Sequence, residues 1–177
     1  MPIIRQIAQL GQPLLREVAR MVADPCAPAI QALIEDMLVT VADASGVGIA
    51  APQLFESLAL FIVASRPNPR YPQAPLLEPT VMINPEILWV ADTREMGWEG
   101  CLSIPGLRGL VPRSTRLGVR YLDREGNLRE EEYADFPARV VQHEFDHLQG
   151  IVFIDRIEST RDLVTEKEYL RILQRQA

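Results

Sequence analysis

The sequence predicts an α+β fold: mostly antiparallel sheet around a central helix bearing a His-Glu-x-x-His motif, with N-terminal and C-terminal helices. Three observations carry this. Ile30, Leu33, Ile34, Met37, Leu38 and Val41 recur at helical spacing, "TRLGVRYLD" and "LREEEYA" flank the turn signal "REGN", and His143 and His147 stand four residues apart. The 177 residues are enough for one domain with its own core, spanning 1–177.

The first helix is predicted over about 28 to 44, and "ASGVG" then ends it, with Gly46 as its C-terminal cap. "LALFIV", 58 to 63, reads as a buried strand. "RPNPRYPQAP", 66 to 75, carries four prolines and reads as an exposed loop without regular structure. "VMINP" and "EILWV" read as two short strands, followed by the hairpin around "REGN". Asp135 and Pro137 mark the start of the motif helix and Gly150 its stop. Thr160 to Gln176 is predicted as a terminal helix with Leu163, Glu166, Leu170 and Leu173 on one side.

Composition narrows the function classes. A net charge of −6 argues against a general nucleic-acid-binding face, and no sequence-specific nucleic-acid contact is expected. No apolar run approaches the roughly 18 to 20 residues that span a membrane. The first 22 residues lack the pattern of a signal peptide, so a cytoplasmic location is expected, or an organellar one after loss of a transit peptide. Two cysteines, Cys26 and Cys101, do not make a disulfide scaffold. Cys26, in "DPCAPA", reads as a buried or incidental thiol.

Residues four apart share a helix face, so His143 and His147 can offer two imidazoles to one ion. Glu144 then stands beside that ion, free to act as general acid and base. Phe145 and Leu148 are expected in the core. A catalytic site of this kind needs a third protein ligand, and both histidines of the chain are already used. Two candidates remain. Glu166 lies 19 residues beyond His147, as in helical zinc peptidases, and Cys101 stands in "WEGCLSIPG". Spacing leaves both open, while the local context favours the thiolate of Cys101 as a soft ligand. "GVGIAAPQ", 46 to 53, fails as a dinucleotide fingerprint because it follows a helix and lacks the third glycine. It reads instead as a backbone that approaches a ligand closely, with the Gln53 amide directed into a site.

Together, "GVGIAAPQ", "EGCLS" (99 to 103) and "QHEFDHLQG" (142 to 150) resemble the peptide deformylase family, in the family's order, over roughly Gly46 to Asp155. The resemblance implies one divalent metal ion held by Cys101, His143 and His147, with Fe(II) the usual native ion and Zn(II), Ni(II) or Co(II) able to replace it. It implies Glu144 as general acid/base, Gln53 and the Leu102 N–H as donors to the developing oxyanion, and Gly48 as a backbone contact to substrate. Val47, Arg108 and Val140 are candidates for the methionine pocket, and Asp146 and Arg113 for a supporting ion pair. The implied reaction removes the N-formyl group from the initiator methionine of nascent polypeptides and releases formate, with transient ribosome association as a corollary. Two rivals stand beside it: a peptidase using Glu166 as third ligand, and a non-catalytic metal-stabilised binding module.

Overall fold

The computed structural model describes residues 1–176. Its elements are α1 (Pro28–Asp43), β1 (Gly48–Ala50), β2 (Leu60–Val63), β3 (Thr80–Val90), β4 (Arg94–Cys101), β5 (Ile104–Ser114), β6 (Arg116–Leu122), β7 (Leu128–Ala134), α2 (Asp135–Leu148), β8 (Leu163–Thr165) and α3 (Glu166–Gln176). They form two antiparallel sheets, a five-stranded one in the order β1-β2-β3-β6-β7 and a three-stranded one in the order β4-β5-β8.

The alternation of side chains along β2 explains where α1 and α2 sit. Leu60 and Ile62 face α1, packing with Leu33, Ile34, Met37 and Val41. Phe61 and Val63 face the other way, onto Ala138, Val141 and Leu148 of α2. Every residue of this strand is therefore buried, as its continuous apolar run requires. Each fully buried side chain of this size contributes about 1.5–3 kcal/mol relative to exposure. The sheet thus holds α2 between itself and β5, and a third cluster of Ile104, Val111, Val152 and Phe153 closes the far side.

Several boundaries differ from the sequence reading, each for a local reason. Helix α1 is capped by Ala44 and followed by Ser45, whose φ of 50° makes it the left-handed residue, while its N–H bonds Ala42 O and the Gly46 N–H bonds Val41 O at 2.9 Å. Gly46 is the second residue after the cap, and it is needed there for space: a Cβ would come within 2.9 Å of Val41. "VMINP" and "EILWV" belong to one continuous strand, β3, bent by a bulge at Asn84, where φ is 51°. The Asn84 side chain there accepts from Val22 N–H and donates to Val22 O, tying down the N-terminal segment.

The expected terminal helix is shorter than Thr160 to Gln176. Thr160–Asp162 is a 3-10 turn and Leu163–Thr165 pairs with β5 as β8, so only Glu166 onward is helical. Gly150 does stop the motif helix, with φ 70°, and Arg16 backbone atoms lie 2.6 Å from where its Cβ would stand. Phe145 is half-buried against the core and Leu148 fully buried. Cys26 is exposed, its Sγ donating to Glu125 O, which corrects the buried reading. No described helix is long and apolar enough to cross a membrane.

Candidate metal centre

Two segments far apart in sequence meet at the buried face of α2. The C-terminal end of β4 delivers Cys101, and successive turns of α2 deliver His143 and His147. Their ligand atoms all lie within 4.8 Å of one another, with Cys101 Sγ 3.2 Å from Nε2 of His147. Nδ1 of His143 lies 2.9 Å from Glu99 Oε2. An ionised carboxylate only accepts, so Nδ1 carries the proton and Nε2 keeps its lone pair for a ligand.

Burial opposes ionisation of Cys101, but the electrostatic pull and hydrogen bonds of the neighbouring His147 and His143 outweigh it and hold the thiol well below its usual range. A thiolate facing two imidazole nitrogens, with the second nitrogen of one already oriented, is a donor set that fits a divalent cation. Glu166 is not part of it. Its carboxylate forms a fork-to-fork pair with Arg108, with both N···O distances 2.9 Å, which removes the peptidase reading.

Behind the triad, buried charges are matched. Glu99 accepts from Arg113 at 2.9 and 3.0 Å and from Arg139 at 3.0 Å, and Arg113 also donates to Asp146 at 2.6 Å. Arg156 completes the group by donating to both oxygens of Asp146. Burial alone would raise the pKa of Glu99, yet the Arg113 charge and hydrogen bonds hold it well below the usual carboxylate range. The expected Asp146–Arg113 pair is present, and Glu99 is the member that sequence reasoning missed. Only its place two residues before Cys101 could have signalled it.

Gln53 stands in the 3-10 turn Ala51–Leu54, which follows β1 directly. Its Oε1 accepts from the Ala50 N–H at 2.9 Å, so the amide cannot flip and Nε2 is aimed at Ser103 Oγ (3.1 Å) and Cys101 Sγ (3.4 Å). Glu144 lies against Gly48, where an added Cβ would stand 2.5 Å from Oε1. Glycine is thus required by the carboxylate, besides any contact to substrate. Glu144 Oε2 is buried with no hydrogen-bond partner among the described residues. Burial pushes this carboxyl up to about 7, against the pull of the two histidines.

These groups open into one cleft on the protein surface. Val47, Gly48, Gln53, Leu102, Arg108 and Val140 all line it, together with Cys101, His143 and Glu144. His147 lies deeper, at 1 % exposure. The wall also includes Arg70, Tyr71, Trp98 and Phe136, none of which the sequence reading singled out. Tyr71 and Arg70 come from the proline-rich loop, which is irregular as expected but packed over the cleft, with Ala74 buried. Its Arg-Tyr pair among prolines was the available signal.

The comparisons agree with this geometry. The polypeptide deformylase family model matches residues 4–162. Peptide deformylase 2 of Nostoc sp. is 55% identical over 172 residues, covering 97% of this chain and 96% of that protein. Peptide deformylase 1 of Bordetella pertussis is 46% identical over 171 residues, covering 97% and 95%. Among solved structures, the class I type b peptide deformylase of Acinetobacter baumannii bound to Met-Ala-Ser superposes with a TM-score of 0.86 at 44% identity, covering 89% of this chain and all of that one. A thiolate and two imidazoles gathered beside a buried carboxyl, in a chain matched over nearly its whole length, place the protein in the peptide deformylase family.

Proposed function

We propose that the chain is a single catalytic domain, 1–177, of which Ala177 lies outside the described residues, and that its cleft removes the formyl group from N-formyl-methionyl peptides as formate. The observation that carries this is the convergence of Cys101, His143 and His147 with Glu144 and an orientation-locked Gln53 in one cleft. Cys101, His143 and His147 would hold one divalent ion, and the soft thiolate with two imidazoles favours Fe(II) or Zn(II), with Ni(II) or Co(II) as substitutes, over a hard cation such as Mg(II). When bound, that ion supplies a Lewis acid that polarises a carbonyl and lowers the pKa of water.

The side chains divide the remaining work. Glu144, with Oε2 free of any hydrogen-bond partner among the described residues and a pKa near neutrality, takes the proton of the attacking water and returns it to the methionine nitrogen as the C–N bond breaks. The Gln53 amide and the Leu102 N–H donate to the formyl oxygen as it gathers negative charge, and loss of one such donor costs about 3–4 kcal/mol of transition-state stabilisation. Gly48 leaves room for Glu144 and offers its backbone to the peptide, while Val47, Val140 and the aliphatic part of Arg108 line the methionine pocket. The Met-Ala-Ser bound by the Acinetobacter relative is what deformylation of formyl-Met-Ala-Ser would release, and supports a formyl-methionyl peptide as the substrate. Bacterial relatives support a cytoplasmic location, and nascent chains as substrates support a transient meeting with the ribosome.

Formate release from formyl-Met-Ala-Ser by metal-replete, anaerobically purified protein tests the reading. Steady turnover is expected. A metal-replete protein that releases no formate would return the site to the non-catalytic binding module.

A further inference from the structure

The cleft contains a polar atom that the reaction above leaves unused, the phenolic oxygen of Tyr71. It is placed with care. The loop carrying it is fastened by Ser65 Oγ donating to Pro75 O (2.7 Å), by Tyr169 OH donating to Arg70 O (2.8 Å), and by Arg70 donating to the carbonyls of Ala44 and Ser45. The ring lies 5.1 Å from that of Phe136, and the Arg108 guanidinium stands 5.3 Å from its centroid. Ring position is therefore set by two neighbours.

The oxygen receives two donors, the Gly100 N–H at 3.2 Å and Arg108 Nη1 at 2.8 Å. A phenol has two acceptor positions and one hydrogen. With both acceptor positions taken, the hydrogen points elsewhere, and among the described residues no acceptor receives it. Burial pushes this phenol up to about 12, so the hydrogen is present throughout the neutral range. Arg108 is already paired with the Glu166 carboxylate, which weakens its pull on an anionic ligand. The cleft thus presents a neutral donor, anchored to the residue next to the Cys101 ligand and lacking an acceptor.

We propose that Tyr71 O–H donates to a backbone carbonyl of the peptide just downstream of the formyl-methionine, so that Tyr71 is a substrate-binding residue that favours a continuing chain over formyl-methionine alone. This rests on the deformylase reading. A neutral carbonyl suits a neutral donor, and it is the one acceptor that every nascent peptide repeats regardless of side chain.

Tyr71→Phe keeps the ring, its Phe136 contact and its place under Arg108 while removing only the hydroxyl. The test compares kcat/KM for formyl-Met-Ala-Ser-amide with that for formyl-Met-methylamide, in wild type and variant, and the Ki of the product Met-Ala-Ser. The long-to-short ratio is expected to fall about five- to tenfold in the variant, through KM rather than kcat, with Met-Ala-Ser inhibition weakened by the same factor. An unchanged ratio overturns the proposal. So does an equal loss on both substrates, which would show that the hydroxyl only braces Gly100 and Arg108. Failure of wild type to release formate from either substrate would instead sink the deformylase reading itself.

Discussion

Nδ1 of His143 donates to Oε2 of Glu99 across 2.9 Å, and the same carboxylate is held by Arg113 and Arg139. The imidazole is therefore aimed by a residue that is itself immobilised. Glu99→Gln keeps the shape but weakens the acceptor and removes one of the two carboxylates that neutralise Arg113. Metal affinity is expected to fall about 10- to 100-fold, read by competition against a chelator. An affinity equal to wild type would show that His143 is oriented without Glu99.

Gly48 and Glu144 occupy one another's space. In Gly48→Ala the new Cβ meets the flexible end of Glu144, so the carboxyl yields and the backbone does not. Thermal stability and metal content are expected to stay near wild type while kcat falls at least tenfold. Glu144→Ala should likewise retain metal and lose roughly 10²- to 10⁴-fold in kcat. Near-normal turnover in Glu144→Ala would remove this residue from proton transfer.

Cys101 and Glu166, the two candidates for third ligand, make opposite predictions. Cys101→Ser is expected to lose bound metal on dialysis, and Glu166→Ala to retain it. Glu166→Ala should instead unfasten Arg108, weakening peptide binding and the hold of α3, visible as a raised KM and a lower Tm. Metal loss in Glu166→Ala with retention in Cys101→Ser would reverse the assignment.

Asp36 ties the N-terminal segment to α1, accepting from Ile3 N–H at 2.8 Å and from Arg5 Nε at 2.8 Å. Burial would raise its pKa, but the Ile3 N–H and then Arg5 bring it below the usual 3.8. A carboxyl whose folded pKa is depressed stabilises the fold above its unfolded pKa, and that contribution is lost as pH falls through the folded value. Asp36→Asn should therefore be less stable than wild type in urea at pH 7, and the gap should narrow steadily below about pH 4. A gap of constant size down to pH 2 would show that the Asp36 charge contributes nothing.

Much of the fold was legible because short windows carry its signals. The 3.6 period of α1, the apolar run of β2, the Asn127-containing hairpin turn and the i, i+4 histidines each depend on neighbours a few residues away. The motif residues 46–53, 99–103 and 142–150 were likewise legible as a set, though not the contacts that join them. Where the sequence reading failed, the deciding partner was remote. Leu163 has helical spacing but lies in β8, because β5 offers an open edge across from it. The proline-rich loop, irregular as composition required, is drawn over the cleft by Tyr169 and Arg108.

The sequence by itself determined that two imidazoles share one helix face with a glutamate next to them in the chain, since helix geometry leaves no other outcome for an i, i+4 spacing. Spacing could not choose between Cys101 and Glu166, although local context and the family resemblance favoured Cys101. Tertiary structure decided that, by seating Cys101 at the end of a strand beside α2 and by giving Glu166 to Arg108 instead. The physical reason is one of range. Helix periodicity is set by the backbone within a few residues, whereas a ligand 42 positions before His143 reaches it only through the packing of two sheets around α2.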